Sequence, residues 1–167
     1  MAQFVVEPLT DAHDRASFTC GTEALDRYFH QQINQDIRRN LAKCFVGIEI
    51  ASGNVAGYFT LTSTGLVVGA LPDAITRKLP RYPVVPAALI GRLAVASNYQ
   101  GKGLGASLIA DAIQRIDASF LGVFAIVVDA KNDAARAFYE RHSFEQLPGH
   151  AARLFLSLAT AKTLIGR

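Results

Sequence analysis

An apolar strand that breaks into a glycine-rich loop and then a helix constrains the fold of this 167-residue chain more than any other feature. The strand pattern ends at Leu93–Val95, and Gly101, Gly103 and Gly105 follow at alternate positions. Glycine lets the backbone turn sharply and approach a ligand closely, and the N–H groups that open a helix attract anions. With a helix predicted from Ser107 to about Asp117, the segment predicts a phosphate-binding loop.

The spacing of the loop excludes one familiar phosphate site and leaves a second open. A P-loop needs Ser or Thr after its Gly-Lys, but Lys102 is followed by Gly103. The dinucleotide fingerprint G-x-G-x-x-G/A is satisfied by Gly101, Gly103 and Ala106, and Asp129 lies 23 residues after Ala106, where a ribose-binding acid would stand. Against this interpretation, only 61 residues follow Ala106, too few for the rest of a doubly wound domain and a substrate domain.

A third interpretation covers more of the chain. Gln100, Gly103 and Gly105 match the Q/R-x-x-G-x-G/A loop that binds the pyrophosphate of acetyl-coenzyme A, and the chain resembles the GCN5-related N-acetyltransferases. Leu93–Val95 before the loop and the segment 132–144 after it look like the other cofactor segments of that family, in the same order. The resemblance implies an N-acetyltransferase with acetyl-coenzyme A as acetyl donor and with no metal.

The resemblance also implies which residues contact the cofactor. The strand before the loop is expected to pair with the pantetheine arm through its main chain, and the loop backbone is expected to hold the pyrophosphate. For Asn132, capping of a helix is a sufficient explanation by itself. The expected cofactor-binding residues are Leu93, Ala94, Val95, Gln100, Gly101, Lys102, Gly103, Leu104, Gly105, Ala106, Asn132 and Phe138.

Tyr139 is the candidate catalytic residue. Acetyl transfer from a thioester to an amine expels a thiolate, and since thiols titrate near 8.5 and tyrosine near 10, a nearby phenol can supply the proton. In the family, the tyrosine at the position that matches Tyr139 has this role. The alternative is that Tyr139 only packs against the sheet. Glu49, Asp129 and Glu140 are candidate bases merely because they are acidic, and the four histidines form no recognisable dyad. An acceptor α-amine, which titrates near 7.7–8.0, needs no base.

Length and composition, with 50% hydrophobic and 19% charged residues, indicate one domain. The resemblance implies that this is a single acetyltransferase domain over residues 1–167. No run of 18 apolar residues predicts a membrane span, and the first residues lack the pattern of a signal peptide. We therefore expect no membrane association and a cytoplasmic protein. Cys20 and Cys44 are expected to be reduced thiols without a catalytic role.

The predicted fold class is α/β, with a mixed, mostly antiparallel central sheet and helices on both faces, as in the GNAT fold. Residues 51–54 carry a hairpin signal between two strands, and residues 69–86 form the least regular segment, with a short helix at 73–78. The predicted strands are 4–8, 44–50, 55–63, one before the glycine loop, 123–129, one near 144 and 152–158; the other predicted helices are 22–40 and 132–142.

Three further segments resemble one particular group within the family. Ser17–Phe29, Gly57–Leu61 and Leu89–Val95 look like the acetyltransferase toxins of bacterial type II toxin–antitoxin pairs. That resemblance implies acetylation of the α-amine of aminoacyl-tRNA, a block of translation, a homodimer, and inhibition by a ribbon-helix-helix antitoxin. Ala96 and Ser143 depart from it, since Asp and Gly are usual there. Alternatives are acetylation of a protein or small-molecule amine, and a non-catalytic acyl-coenzyme A sensor.

The charge is compatible with an RNA substrate without requiring one. The formal net charge is +3 and the pI is near 9.0, less than many dedicated nucleic-acid binders show. The distribution carries more information, because basic residues cluster near a helix end, in the irregular segment and before the cofactor strand. The candidate RNA-binding residues are Arg38, Arg39, Arg77, Lys78 and Arg92; ordinary solvated faces are the alternative.

Overall fold

The computed structural model describes residues 3–166. Its strands are β1 (Phe4–Pro8), β2 (Lys43–Glu49), β3 (Val55–Val67), β4 (Val84–Val95), β5 (Ala125–Asp129), β6 (Glu145–Gln146) and β7 (Arg153–Ser157). Its α-helices are α1 (Glu23–Arg27), α2 (Ile33–Arg38), α3 (Asp73–Thr76), α4 (Leu104–Ala118), α5 (Asp133–Arg141) and α6 (Leu158–Leu164). A π-helical turn, Tyr28–Gln32, joins α1 to α2, and Val68–Ala70 and Ser97–Tyr99 are 3-10 turns.

The strands form one seven-stranded sheet in the order β1-β2-β3-β4-β5-β7-β6. The pairs β1–β2, β2–β3, β5–β7 and β6–β7 are antiparallel, whereas β4 and β5 run parallel and pair over Ala87–Ile90 and Ala125–Val128. A parallel pair needs a long crossover, which α4 supplies between these two strands. The predicted fold class, a mixed and mostly antiparallel sheet with helices, is confirmed.

Contacts group the chain into two units, residues 1–62 with 91–112 and residues 63–90 with 113–167. An aromatic cluster lies in the core of the first unit. Phe29 stacks on Tyr58 with ring centroids 4.3 Å apart, and Phe18 meets both rings edge to face. The Tyr58 hydroxyl donates a 2.8 Å hydrogen bond to the Leu25 carbonyl, so the buried phenol is satisfied. The cluster therefore fixes α1 and the π-helical turn against β3.

Gly57 in β3 lies where the first unit has no room for a side chain. A β-carbon placed on Gly57 would be 2.9 Å from the main-chain oxygen of Ala94 and 3.0 Å from a methyl group of Leu108. The Ala94 oxygen belongs to the backbone and cannot rotate away. Glycine at position 57 therefore permits the close packing of β3, β4 and α4 within this unit.

The second unit has a separate apolar core. Val85 and Ala87 of β4 pack with Val127 of β5 and Phe155 of β7. Leu71, in the segment between β3 and β4, packs into the same core and ties that segment to the sheet. The core's buried members are Leu66, Leu71, Val85, Ala87, Ala125, Val127, Leu147 and Phe155. Some of these residues belong to β3 and β4. Both strands are therefore long enough to contribute to this second core.

Several element boundaries differ from the predictions. The helix predicted over 22–40 is α1, the π-helical turn and α2, and it ends at Arg38. The helix predicted from Ser107 begins at Leu104, three residues earlier. The end of the segment predicted as irregular over 69–86 is strand from Val84, and α6 was not predicted. The hairpin at 51–54 is confirmed, because β2 and β3 are antiparallel neighbours.

No helix within residues 3–166 combines the length and apolar character needed to cross a bilayer. Cys20 and Cys44 are free and buried. Burial raises the pKa of the Cys44 thiol to about 12, so Cys44 stays protonated and unreactive at neutral pH.

We expect Gly57→Ala to destabilise the protein by about 1–3 kcal/mol, the usual cost of overpacking a core. Gly69→Ala is the matched control, because a β-carbon there meets nothing within 4 Å and the residue does not have a positive φ. The control should be neutral or slightly stabilising. Urea denaturation of both variants measures the difference, and equal stabilities would refute the close approach.

Candidate active site

The glycine loop has the backbone conformation that its sequence predicts. Gly101 and Gly103 have φ values of +77° and +82°, in the left-handed region that side chains disfavour. Both are exposed, and a β-carbon on either would meet nothing within 4 Å. Since α4 begins at Leu104, directly after Gly103, its unpaired first N–H groups belong to the loop. The loop therefore offers open space beside a helix N-terminus, which suits an anion.

The earlier start of α4 changes what Gly105 and Ala106 contribute. Both lie in the first turn of the helix, where backbone N–H groups lack a carbonyl one turn earlier. The Ser107 N–H donates to the Gly103 carbonyl at 3.2 Å, the first hydrogen bond of the helical ladder. Leu104 is buried and anchors this turn in the core of its unit.

Gln100 holds the loop in place through its side-chain amide. The Nε2 atom donates to the carbonyl oxygens of Cys20 and Val95, each at 2.9 Å. The two N–H groups of one planar amide thus bind two main-chain oxygens from different segments. The sequence indicates Gln100 as a contact of the cofactor; its observed partners, including the Cys20 carbonyl, give no signal in the sequence.

The end of β4 presents its main-chain groups alternately to its two sides. The Ala96 N–H donates to the Ala56 carbonyl of β3 at 2.8 Å. β3 and β4 are neighbours in the sheet, and alternate residues of a paired strand point their N–H and C=O groups at the partner strand. Ala94 therefore faces β3, and Leu93 and Val95 face the opposite edge. The Val95 carbonyl is engaged by Gln100, which leaves the groups of Leu93 and the Val95 N–H as the candidate cofactor contacts.

Arg92, directly before this segment, stacks on an aromatic ring. Its guanidinium carbon is 3.5 Å from the ring centroid of Tyr28 in the π-helical turn. The Tyr28 hydroxyl donates a 2.6 Å hydrogen bond to Asp36. This bond is the largest influence that lowers the pKa of Asp36, and the nearby Arg92 charge lowers it further. Arg92 is thus an exposed cation whose guanidinium is positioned by its stacking on Tyr28.

Tyr139 lies in α5 of the second unit. Its side chain is 7% exposed and meets Phe138 and Phe144 edge to face. Burial raises the pKa of Tyr139 to about 12, and the charge of Asp129 adds to this effect. Within residues 3–166 no hydrogen bond engages its hydroxyl. Tyr139 is therefore a neutral phenol with a free donor at any physiological pH.

Both ends of α5 are fixed by caps. Asn132 accepts a 2.9 Å hydrogen bond from the Ala135 N–H, so it is the N-cap. At the other end, Phe144 N–H donates to the Tyr139 carbonyl and Ser143 N–H to the Glu140 carbonyl, each at 3.1 Å. This is a Schellman motif, completed by the contact between the Phe144 and Tyr139 rings.

Ser143 occupies the position of the Schellman motif where glycine is favoured, and its φ is +72°. The departure noted in the sequence therefore leaves the turn in place. It requires a residue with a β-carbon to adopt a left-handed conformation, which costs about 1–2 kcal/mol.

Two of the candidate bases are already engaged. Asp129 accepts two hydrogen bonds from Arg153, at 2.8 and 3.0 Å, a bidentate ion pair. Glu49 accepts from the hydroxyls of Ser52 and Tyr99, which holds its pKa below the usual range. The ribose-binding role considered for Asp129 is thus replaced by an ion pair. Residues 3–166 also contain no group of three or more His, Cys, Asp or Glu side chains placed to bind a metal.

The remaining candidates are on the surface or beside the site residues. Lys102 is exposed, with its ammonium 5.8 Å from the Tyr99 ring centroid. Phe138 is half-buried and also meets His142 edge to face. Burial lowers the pKa of His142, which is therefore mainly neutral at pH 7. The other candidate RNA-binding residues, Arg38, Arg39, Arg77 and Lys78, are all exposed.

Comparison with known proteins identifies the class. The model of the acetyltransferase (GNAT) family matches residues 7–144, most of the chain. The chain belongs to this family, and it is an acetyltransferase. The dinucleotide-binding interpretation of the loop is therefore wrong: the three residues of that fingerprint, Gly101, Gly103 and Ala106, belong to an acetyltransferase loop.

Particular relatives are similar along nearly the whole chain. A tRNA-acetylating toxin of Mycobacterium tuberculosis is 36% identical, with 95% of this chain and 94% of that protein aligned. The structure of AtaT complexed with acetyl-methionyl-tRNAfMet superposes with a TM-score of 0.88 at 30% identity, covering 97% of this chain and 99% of that one. A Tyr-to-Phe mutant of the AtaT toxin, bound to the C-terminus of the antitoxin AtaR and acetyl-CoA, gives a TM-score of 0.81 at 26% identity, over 98% and 99%.

We expect Ser143→Gly to stabilise the protein by about 0.5–1 kcal/mol, because relief of the left-handed strain exceeds the added chain entropy of glycine. Ser63→Gly is the control, since Ser63 lies in β3 and does not have a positive φ. There the substitution should cost about 0.5–1 kcal/mol. Thermal or urea denaturation compares the two; destabilisation by both would contradict the strain at position 143.

Proposed function

We propose that this acetyltransferase is a toxin that transfers the acetyl group of acetyl-coenzyme A to the α-amino group of aminoacyl-tRNA and so blocks translation. The observation that carries the proposal is the 36% identity to a tRNA-acetylating toxin over 95% of this chain. The similarity to AtaT, solved with acetyl-methionyl-tRNAfMet, supports the same substrate class.

In this proposal the glycine loop holds the pyrophosphate of the cofactor. The left-handed turns at Gly101 and Gly103 leave open space, and the first N–H groups of α4, at Leu104, Gly105 and Ala106, supply donors. Gln100 keeps the loop folded by its two bonds to main-chain oxygens rather than by a contact of its own. The exposed Lys102 adds positive charge.

The cofactor arm then follows the free edge of β4. Leu93 and the Val95 N–H offer main-chain groups to the amides of pantetheine, while Ala94 maintains the pairing with β3. Asn132 acts first as the N-cap of α5 through its side-chain oxygen, and the family resemblance alone supports it as a cofactor residue. Phe138 supplies an apolar surface from the same helix.

The amine nitrogen of the acceptor attacks the thioester carbonyl, an amide bond forms, the C–S bond breaks, and the thiolate takes a proton from Tyr139. In water a phenol with a pKa of about 12 would be a weak acid toward a thiolate of pKa 8.5. Burial disfavours the charged form of a thiol as it does that of a phenol, the effect that raises the pKa of the buried Cys44 thiol to about 12. A leaving thiolate held in an apolar site would therefore be a stronger base toward Tyr139 than it is in water.

Two of the three carboxylates considered as bases are already engaged, which favours an acceptor that needs no base. Glu49 and Asp129 are engaged in hydrogen bonds or an ion pair, so neither is a free carboxylate. An α-amine is partly unprotonated at neutral pH, whereas a lysine side chain at 10.4 must first lose a proton. This difference favours aminoacyl-tRNA over the lysine of a protein.

The proposal also covers the location of the protein, its oligomeric state and its inhibitor. We place the protein in the cytoplasm, where charged tRNA is found, as a single acetyltransferase domain that acts as a homodimer. AtaT has been solved with the C-terminus of its antitoxin AtaR, and we propose a cognate antitoxin for this chain, of ribbon-helix-helix type. The competing functions are acetylation of a protein or small-molecule amine and an acyl-coenzyme A sensor without turnover.

We expect Gly103→Ala to weaken acetyl-coenzyme A binding at least tenfold, because the β-carbon both strains the turn and occupies the space proposed for the pyrophosphate. Gly53→Ala is a matched control: Gly53 has a φ of +74° and equally open surroundings, but it lies in the β2–β3 hairpin. Isothermal titration with acetyl-coenzyme A reports both affinities. Equal affinities would rule out the loop as the cofactor site.

The function is tested by transfer of labelled acetyl from acetyl-coenzyme A to bulk charged tRNA, with deacylated tRNA as the negative control. We expect label on charged tRNA alone. Tyr139→Phe should lower kcat by about 10²–10⁴-fold, the usual size of general-acid catalysis, and leave acetyl-coenzyme A affinity unchanged. A protein that binds the cofactor but labels no charged tRNA overturns the proposed substrate, and an unimpaired Tyr139→Phe variant overturns the acid role.

The raised pKa of Tyr139 fixes the pH dependence of this reaction. A group with a raised pKa keeps its proton below that pKa, so the acid form persists to about pH 12. Acetyl transfer should therefore rise with pH as the acceptor amine loses its proton, near 7.7–8.0, and then stay level. Initial rates from pH 6 to about 9.5 measure the profile; a fall above pH 8 would contradict a protonated Tyr139.

A further inference from the structure

The segment between β3 and β4 is held to the second unit on one side and carries unpaired charge on the other. Leu71, Ile75 and Leu79 lie four residues apart; Leu71 is buried, and the other two pack against the core. Leu71 precedes α3, Ile75 lies in it and Leu79 follows it, so contacts of these three anchors with one core hold the chain before, within and after this helix. The residues between and after the anchors are thereby directed to solvent.

The outward residues include three cations within five positions, Arg77, Lys78 and Arg81, and all three are exposed. No ion pair or hydrogen bond engages their side chains within residues 3–166. Asp73 is the one acidic residue between positions 71 and 84. We call residues 77–82 the basic loop. Its charge is uncompensated, which favours a polyanionic partner.

The basic loop also displays an aromatic ring. Tyr82 is 61% exposed. Its N–H donates to the Pro80 carbonyl at 2.8 Å, and the carbonyl of the following Pro83 accepts a 3.0 Å hydrogen bond from Val68. Two prolines and two main-chain bonds restrain the backbone of the loop, so little backbone freedom is lost when the exposed ring binds a partner.

We propose that the basic loop binds unpaired nucleotides of the RNA substrate, with a base stacked on Tyr82 and phosphates contacted by Arg77, Lys78 and Arg81. This inference rests on the proposed function, which supplies an RNA whose acceptor end is single-stranded. Bases of any identity stack on an aromatic ring, and the cations follow the backbone. The surface therefore contributes affinity for the RNA, whereas the acetyl transfer belongs to the site around Tyr139.

Two other occupants fit the observations less well. A second copy of this chain meeting the loop across a two-fold axis would bring like charges together. An acidic peptide would satisfy the cations, but it gives no role to an exposed aromatic ring. The combination of Tyr82 with three free cations is the pairing found in single-strand binders.

The test is direct binding, measured by fluorescence anisotropy with a labelled short RNA duplex that carries a 3′ single-stranded overhang, and with the same duplex made blunt. Tyr82→Leu removes the ring and keeps an apolar side chain, whereas Tyr82→Phe keeps the ring. Phe120→Ala is the control, because Phe120 is a fully exposed aromatic outside the basic loop. Arg77→Gln with Lys78→Gln removes two charges at similar size.

We expect Tyr82→Leu to weaken binding of the overhang RNA about tenfold, and Tyr82→Phe and Phe120→Ala to bind as wild type. Blunt duplex should not distinguish Tyr82→Leu from wild type. The double charge variant should lower the slope of log affinity against log salt by about 1.4, the contribution of two phosphate contacts on a single strand. In acetyl transfer, Tyr82→Leu should raise KM for charged tRNA and leave kcat and the KM for acetyl-coenzyme A unchanged.

Unchanged overhang binding by Tyr82→Leu, or equal losses in Tyr82→Leu and Tyr82→Phe, would overturn the inference. So would normal RNA binding by the charge variant together with lost binding of polyglutamate, which would assign the loop to an acidic peptide. A wild-type protein that binds overhang RNA as described and yet acetylates no charged tRNA counts against the proposed function alone.

Discussion

One side-chain amide holds together the segments that carry the proposed cofactor site. Gln100 uses its two N–H groups to bind the carbonyls of Cys20 and Val95, so the amino-terminal segment, the end of β4 and the glycine loop share one fixed point. The Q/R alternation at this position of the family loop then has a physical reason. Glutamine and arginine both place several N–H donors on a rigid planar group, and either can bind two main-chain oxygens at once. A lysine or glutamate at position 100 lacks that geometry.

Burial determines the chemistry that the second unit can perform. Tyr139 is enclosed by aromatic rings, and its pKa is raised to about 12, so its hydroxyl is a proton donor at every pH the protein meets. The caps at Asn132 and Ser143 keep α5, and with it Tyr139, in one place. The strain at Ser143 is compensated by two main-chain hydrogen bonds and a ring contact. Local stability and the placement of Tyr139 therefore rest on the same few residues.

The sequence predicts the parts of this structure that depend on local backbone chemistry. Left-handed turns at Gly101 and Gly103 and the capping role of Asn132 follow from residue type and spacing. Helix α4 was predicted to start too late because Gly105 suggested continued loop, yet glycine is tolerated in a first turn whose N–H groups have no intrahelical partner. The partners of Gln100 and Asp129 are distant in sequence, and nothing local indicates them.

Other differences arise from tertiary packing. The segment before β4 is rich in proline and was predicted to be irregular up to Pro86, but Val85 is a core residue and strand structure begins at Val84. The start of a strand such as β4 is set by the burial of alternate residues and not by the proline residues around it. The carbonyl oxygen of Cys20 accepts a hydrogen bond from Gln100, and the side-chain oxygen of Thr60 accepts one from the Arg92 N–H. Both contacts also depend on tertiary packing.

The π-helical turn Tyr28–Gln32 makes the amino-terminal helix intolerant of changes in length. Its wider turn sets the rotation at which α2 begins, so that Ile33 is buried and Asp36 reaches the Tyr28 hydroxyl. Deletion of one residue would rotate all of α2 by about 100°, the angle of one helical step. Such a shift would turn Ile33 away from the core and separate Asp36 from Tyr28, the ring on which Arg92 rests. Among homologous chains, insertions and deletions should therefore be tolerated in surface loops and excluded from this helix.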